Sequence, residues 1–228
     1  VVEGYTPAVE QAFTRGLERS QEVGEIAHLF PILKGLAHIH SLQGEFEKGI
    51  QAGEQILALA EQLDDDSMRV DAHLVLGENL AFMEDLKKGL HHLDKAIELF
   101  DPDLPKFTPF RSGNNSGVAC YTTSALFLWS MGFPDRALER ANQAIELAQR
   151  IDHPFSLAYA LFHASLLHLW RGEPELTQAR ARAVIAIAEE YGMKSWGASA
   201  ACLCGAGLAA SGHVQEGLAY LLRGMDIY

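Results

Sequence analysis

The string Gly205-Ala206-Gly207-Leu208-Ala209-Ala210 has the form G-x-G-x-x-A, the spacing with which a glycine-rich turn cradles a dinucleotide pyrophosphate. That chemistry needs a β-strand before the glycines and a helix opening at them. Residues 198–204 are instead rich in alanine and hold no β-branched side chain. The glycines therefore fall inside a helix and read as packing positions. Cys202 and Cys204 lie two apart, which on a helix turns the thiols away from each other, and a tetrahedral zinc site wants four converging ligands. Cys120 sits near a helix start, where the dipole could lower a thiol pKa, but a small buried hydrophobe is the plainer role. His38 with His40 (two apart), His163 with His168 (five apart) and the adjacent His91-His92 do not share a helical face as spacings of three or four would. No metal or cofactor is expected. No Ser/His/Asp or Cys/His set can be nominated from linear order, so the expectation is a chain without catalytic activity of its own.

Charge narrows the partners. Thirty acidic residues against 18 Lys and Arg leave a net formal charge of -12, and no Lys/Arg run forms a basic patch. Binding to nucleic acid or to an anionic membrane surface is disfavoured, because both depend on clustered cations. Three cysteines are too few and odd in number for a disulfide framework. No apolar run reaches the length of a membrane span, and no signal peptide opens the text. The chain begins on Val1 in mid-pattern and reads as part of a longer cytoplasmic protein.

The elements that would position these residues recur. Turn signals at Gly4-Tyr5, Gly44-Glu45-Phe46, Gly132-Phe133-Pro134, Gly172-Glu173-Pro174 and Gly212-His213 are separated by 40, 88, 40 and 40 residues. Met83-Glu84-Asp85 reads as a disguised turn that splits the 88 into 40 and 48. A period in this range marks a helical-repeat solenoid. Apolar residues at helical spacing predict helices over 5–23, 25–42, 46–63, 68–82, 86–100, 118–131, 135–151, 155–170, 174–191, 195–211 and 214–228. In the second of these Ile26, Leu29, Leu33, Leu36, Ala37 and His40 form the inward stripe, with Pro31 near the start. Ser67 or Asp66 is the expected cap of the fourth. Residues 101–117, with Pro102, Pro105, Pro109, Gly113 and Gly117, form a loop insertion that no helix could cross. The fold class is all-α, a right-handed helical-repeat solenoid of about eleven helices, expected as a single domain over residues 1–228.

These units resemble tetratricopeptide-type repeats, whose pattern places a small residue midway along the first helix, a turn glycine, then two alanines in the second helix. Ala125, Gly132, Ala137 and Ala144 hold all four places; Ala37 with Gly44, and Gly77 with Ala96, match in part. The chain departs from the pattern in its longer period, in Gly49, Gly89 and Gly217 at the first alanine place, and in Thr177. The strings 132–137 and 153–158 are similar to repeat regions of large bacterial signalling proteins, which follow an ATPase module and carry cyclase or DNA-binding domains.

The resemblance implies a concave groove lined by the first helix of each pair. Carried onto this chain, its lining places hold Lys34, His38, Asp71, Glu78, Thr122, Leu126, Trp129, Tyr159, Phe162 and Leu166. The early positions supply charge and the later ones aromatic and aliphatic surface. The implied function is a scaffold or regulatory module that recognises a protein or peptide partner, which could be another domain of the parent chain. The alternative is a small-molecule sensor using the same groove. Self-association through exposed helix faces is a further expectation.

Overall fold

A computed structural model of the chain describes residues 7–23, 26–103 and 114–225, without the side chains of 7, 21–23 and 26–28. Pro105, Pro109, Gly113, the side chain of Ile26 and the ends expected at residues 5 and 228 lie outside the described residues. Eleven α-helices and no strand are present among those described: α1 Pro7–Val23, α2 Ile26–Gln43, α3 Phe46–Leu63, α4 Asp66–Phe82, α5 Leu86–Leu99, α6 Ser116–Ser130, α7 Pro134–Arg150, α8 Pro154–Trp170, α9 Pro174–Tyr191, α10 Lys194–Ala210 and α11 Val214–Met225. They form two compact units, Val1–Arg111 and Ser112–Tyr228.

Turn chemistry explains the helix boundaries. Within a pair the chain reverses through a left-handed residue, Gly44 (φ 77°), Gly132 (φ 84°), Gly172 (φ 73°) or Gly212 (φ 88°), a conformation that glycine adopts without a Cβ penalty. The α4–α5 turn has no glycine, and Glu84 takes the same conformation at φ 66°. Between pairs Asp64, Asp152 and Gly192 do so. Asp65 caps α4, its carboxylate accepting from the amides of Ser67 (2.9 Å) and Met68 (3.2 Å). The cap is therefore one residue earlier than the expected Asp66 and two earlier than Ser67. Asn115 caps α6 by accepting from Val118 N (3.2 Å), so the expected loop over 101–117 ends before Ser116, and Gly117 is helical and buried. Pro31 stands in the second turn of α2, not its first, and is exposed.

The first helices α4, α6, α8 and α10 bury residues on several sides, whereas α7 and α9 bury one apolar stripe and turn charge to solvent. Within unit 1, α2 packs on α4; within unit 2, α6 packs on α8 and α8 on α10. The second helices do not pack on one another, although Arg223 of α11 reaches Glu189 of α9 at 3.1 Å. In each unit the first helices thus form the tighter layer, which makes their face the concave one.

Core packing depends on small residues. Phe30, Leu33, Ile56, Leu59, Ala60, Met68 and Ala72 form a continuous cluster in unit 1, with Leu17, Leu29 and Leu57 against it. In unit 2 Ala125, Ala137, Ala144 and Ala181 are buried where helices cross. Two departures from the repeat pattern, Gly49 and Gly217, have packing reasons. Gly49 faces the buried amide of Asn79, which donates to Val75 O (2.8 Å) and accepts from Ser41 Oγ (2.8 Å). A Cβ on Gly77 would sit 3.0 Å from the carbonyl of Gly89, and Thr177 is buried with its carbonyl accepting from Ser165 Oγ (2.9 Å). The G-x-G-x-x-A string lies inside α10, where a Cβ on Gly205 would sit 2.6 Å from Gly217 O of α11. Gly205→Ala should cost about 1–3 kcal/mol, because backbone atoms of the neighbouring helix cannot step aside. Urea denaturation would measure this, and an unchanged midpoint would rule out that contact.

Candidate binding groove

In unit 1 the helix spacing sets the site. Lys34 and His38 lie one turn apart on α2, and Asp71 and Glu78 lie two turns apart on α4. Lys34 Nζ and Asp71 Oδ1 are 2.7 Å apart, with side chains only 12% and 8% exposed. The contact is a charge pair across the α2–α4 interface rather than a well-aligned hydrogen bond. His38 is exposed beside it; partial desolvation, then the Lys34 ammonium, hold its imidazole below the usual range. Glu78 is half-buried.

In unit 2 the inner face is aromatic and almost free of charge. Helices α6 and α8 contain no Asp, Glu, Lys or Arg, and α10 contains only Lys194. Leu126, Trp129, Tyr159, Phe162 and Leu166 are each half-buried: neither wholly core nor freely solvated. Trp129 stacks on Trp170 with centroids 6.1 Å apart. Thr122 is 2% exposed, so it belongs to the wall behind the groove and not to its surface.

Two residues absent from the sequence-based set complete this face. Trp196 of α10 meets Phe155, Tyr159, Phe162 and His163 edge-on, at centroid distances of 5.7, 5.8, 5.3 and 6.4 Å. His163 Nδ1 donates to the Tyr159 carbonyl at 2.8 Å, and burial lowers its pKa. The implied lining places, moved forty residues on into α10, hold the small residues Ser199, Cys202 and Ala206. A large ring one turn earlier fills the space they leave, and that was the readable signal. The other early candidates disperse. Cys120 and Cys204 are buried and Cys202 partly so, none in a disulfide, and burial raises the Cys204 thiol pKa. Among the described residues no three His, Cys, Asp or Glu side chains converge as metal ligands, and no helix is long and apolar enough to cross a membrane.

The fold and this inner face define the chain's class: a tetratricopeptide-like helical-repeat solenoid. Solved structures share that fold. BtubC (BKLC) from P. vanneervenii is similar with a TM-score of 0.75 and 16% identity, over 96% of this chain and 89% of that one. A Rap protein complexed with competence and sporulation factor is similar with a TM-score of 0.67 and 14% identity, over 86% of this chain and 54% of that one. A putative kinesin light chain from Podosopora anserina with nearly identical TPR-like repeats follows at 0.62 and 15%, over 86% and 92%. No protein-family description matches the chain, nor does any curated protein.

The charge pair makes a sharp prediction. Lys34→Met leaves Asp71 buried without its cation and should cost about 3 kcal/mol, whereas Lys34→Met combined with Asp71→Leu should recover most of that loss. A urea-denaturation double-mutant cycle measures the difference. Additive losses would show that the two side chains act independently.

Proposed function

We propose that this chain is a non-catalytic interaction module that takes a peptide or a neighbouring domain's segment on the concave face of its first helices. The two units then serve one module, acting in the cytoplasm as the scaffold or regulatory part of a larger bacterial signalling protein linked to an ATPase. The observation that carries this reading is the half-exposed aromatic row Trp129, Tyr159, Phe162 and Trp196 on helices nearly free of charge. Large rings held by packing offer contact area at low entropic cost, the usual make-up of a binding hot spot. On unit 1, Lys34, His38, Asp71 and Glu78 would select polar groups of a partner. The Rap protein's structure with competence and sporulation factor supports the reading by analogy of fold. The net charge of -12 argues against nucleic acid as the partner.

The same rings also suit a drug-sized ligand, because Tyr159, Phe162, His163 and Trp196 close on one another. Panning a displayed twelve-residue peptide library, followed by calorimetry on the recovered peptides, separates the two readings. Phe162→Ala and Trp129→Ala should each weaken a groove peptide at least tenfold with helical circular dichroism retained, while Glu146→Ala on the exposed side of α7 should leave affinity unchanged. Equal affinity in all three variants would remove the groove assignment. An empty selection, with a metabolite raising the melting temperature, would favour the sensor; at 100 times its dissociation constant such a ligand adds about 2.7 kcal/mol.

A further inference from the structure

Two residues beyond Asp71 on α4, the buried His73 turns to α5. Its Nδ1 lies 2.9 Å from Nδ1 of His92, the rings being 5.1 Å apart at their centroids and tilted by 44°. His91 stands edge-on to His92 at 6.1 Å. A contact of this length between two imidazole nitrogens is a hydrogen bond, and it needs one donor and one acceptor. One ring can carry an extra proton and still donate to the other. With two extra protons both Nδ1 atoms are donors, and two positive charges face each other across the interface.

The surroundings sharpen that conflict. The charged groups that act on His73 are His92, Lys95 and His91, each cationic when charged and each on α5. Among the described residues, neither α2 nor α3, the other helices packed on α4, adds to that set. Nearby on the α2 side, Asp71 is engaged by Lys34 at 2.7 Å. Burial first, then these cations, push the His73 pKa down to about 4, and burial with Lys95 and His91 lowers that of His92. With a folded pKa below the ordinary 6.5, the opened chain takes up protons before the closed one. The stabilisation is complete above pH 6.5 and is lost as pH falls toward about 4.

We infer that the His73–His92 contact is an acid-sensitive latch on unit 1: a second proton parts α5 from α4 and loosens the α4 face that presents Asp71 and Glu78. The consequence for binding rests on the groove reading above; the parting of the helices does not. Hydrogen exchange on the whole chain at pH 7.5 and 4.5, corrected for intrinsic rates, tests it, with α9 and α10 of unit 2 as the internal reference. Protection in α4 and α5 should fall at least tenfold more than in the reference helices. His92→Gln keeps a neutral partner for His73 and should abolish that excess. Equal losses in both units, or the same excess in His92→Gln, would overturn the latch. Should His92→Gln not fold, the histidine proton resonances of the native chain decide: the latch requires two coupled titrations below pH 6.5, and independent titration of both rings near 6.5 rejects it. Affinity for a library-derived peptide at both pH values is read separately, so a peptide that fails to bind at pH 7.5 counts against the groove and leaves the exchange result standing.

Discussion

Everything here depends on how closely one helix backbone can approach the next. At Gly205 and Gly217 the closest neighbours of an added Cβ are main-chain carbonyls 2.6 Å away, and Gly224 stands in the same relation to Ala198 O at 2.7 Å. No side chain larger than hydrogen fits at those crossings. Alanines at 137, 141, 144 and 148 do the corresponding work along α7. Those glycine contacts hold α10 against α11 within a pair, while the first helices of a unit touch each other and the described second helices do not pack together. How closely the two helices of a pair approach is thus set by side-chain size.

The same constraint explains which parts could be read in advance. Helices α3 and α9 have the expected bounds, 46–63 and 174–191, because each is bracketed by turn residues whose chemistry is local: Gly44 before α3, Gly172 before α9, and proline at the head of α9. The glycine-free turn at Glu84 was legible for the same reason, since polar residues interrupt an apolar run. Caps were less legible. Asp64, Asp65, Asp66 and Ser67 can all accept amide hydrogens, and only the backbone geometry selects Asp65. Contacts distant in the sequence were not legible at all. His73 and His92 are nineteen residues apart on two helices, and their pairing depends on the rotation of each helix about its axis. Trp196 was missed because the expected lining places, followed into α10, hold small side chains; it joins the ring cluster at Phe162 from one turn earlier.

The two units treat charge differently. In unit 1 the inner face carries Lys34 and Asp71, but they are a mostly buried charge pair, and the more exposed polar side chains beside them are His38 and Glu78. In unit 2 charge is displaced to the outer helices: α7 carries Asp135, Arg136, Glu139, Arg140, Glu146 and Arg150, whereas α6 and α8 carry none. Solubility is supplied by one layer and contact area by the other, so the inner helices can be apolar on nearly every side.

That displacement has a kinetic consequence. A partner seated on α6, α8 and α10, as proposed above, would meet only Lys194 as a charge on those helices, so steering would come from the chain's net charge of -12 as a whole. Ionic strength would then act on how fast such a complex forms through that net charge and not through ion pairs at the seat. Under the proposed function, discrimination between partners would rest on residence time, decided by how well an incoming side chain fits among the rings around Trp196.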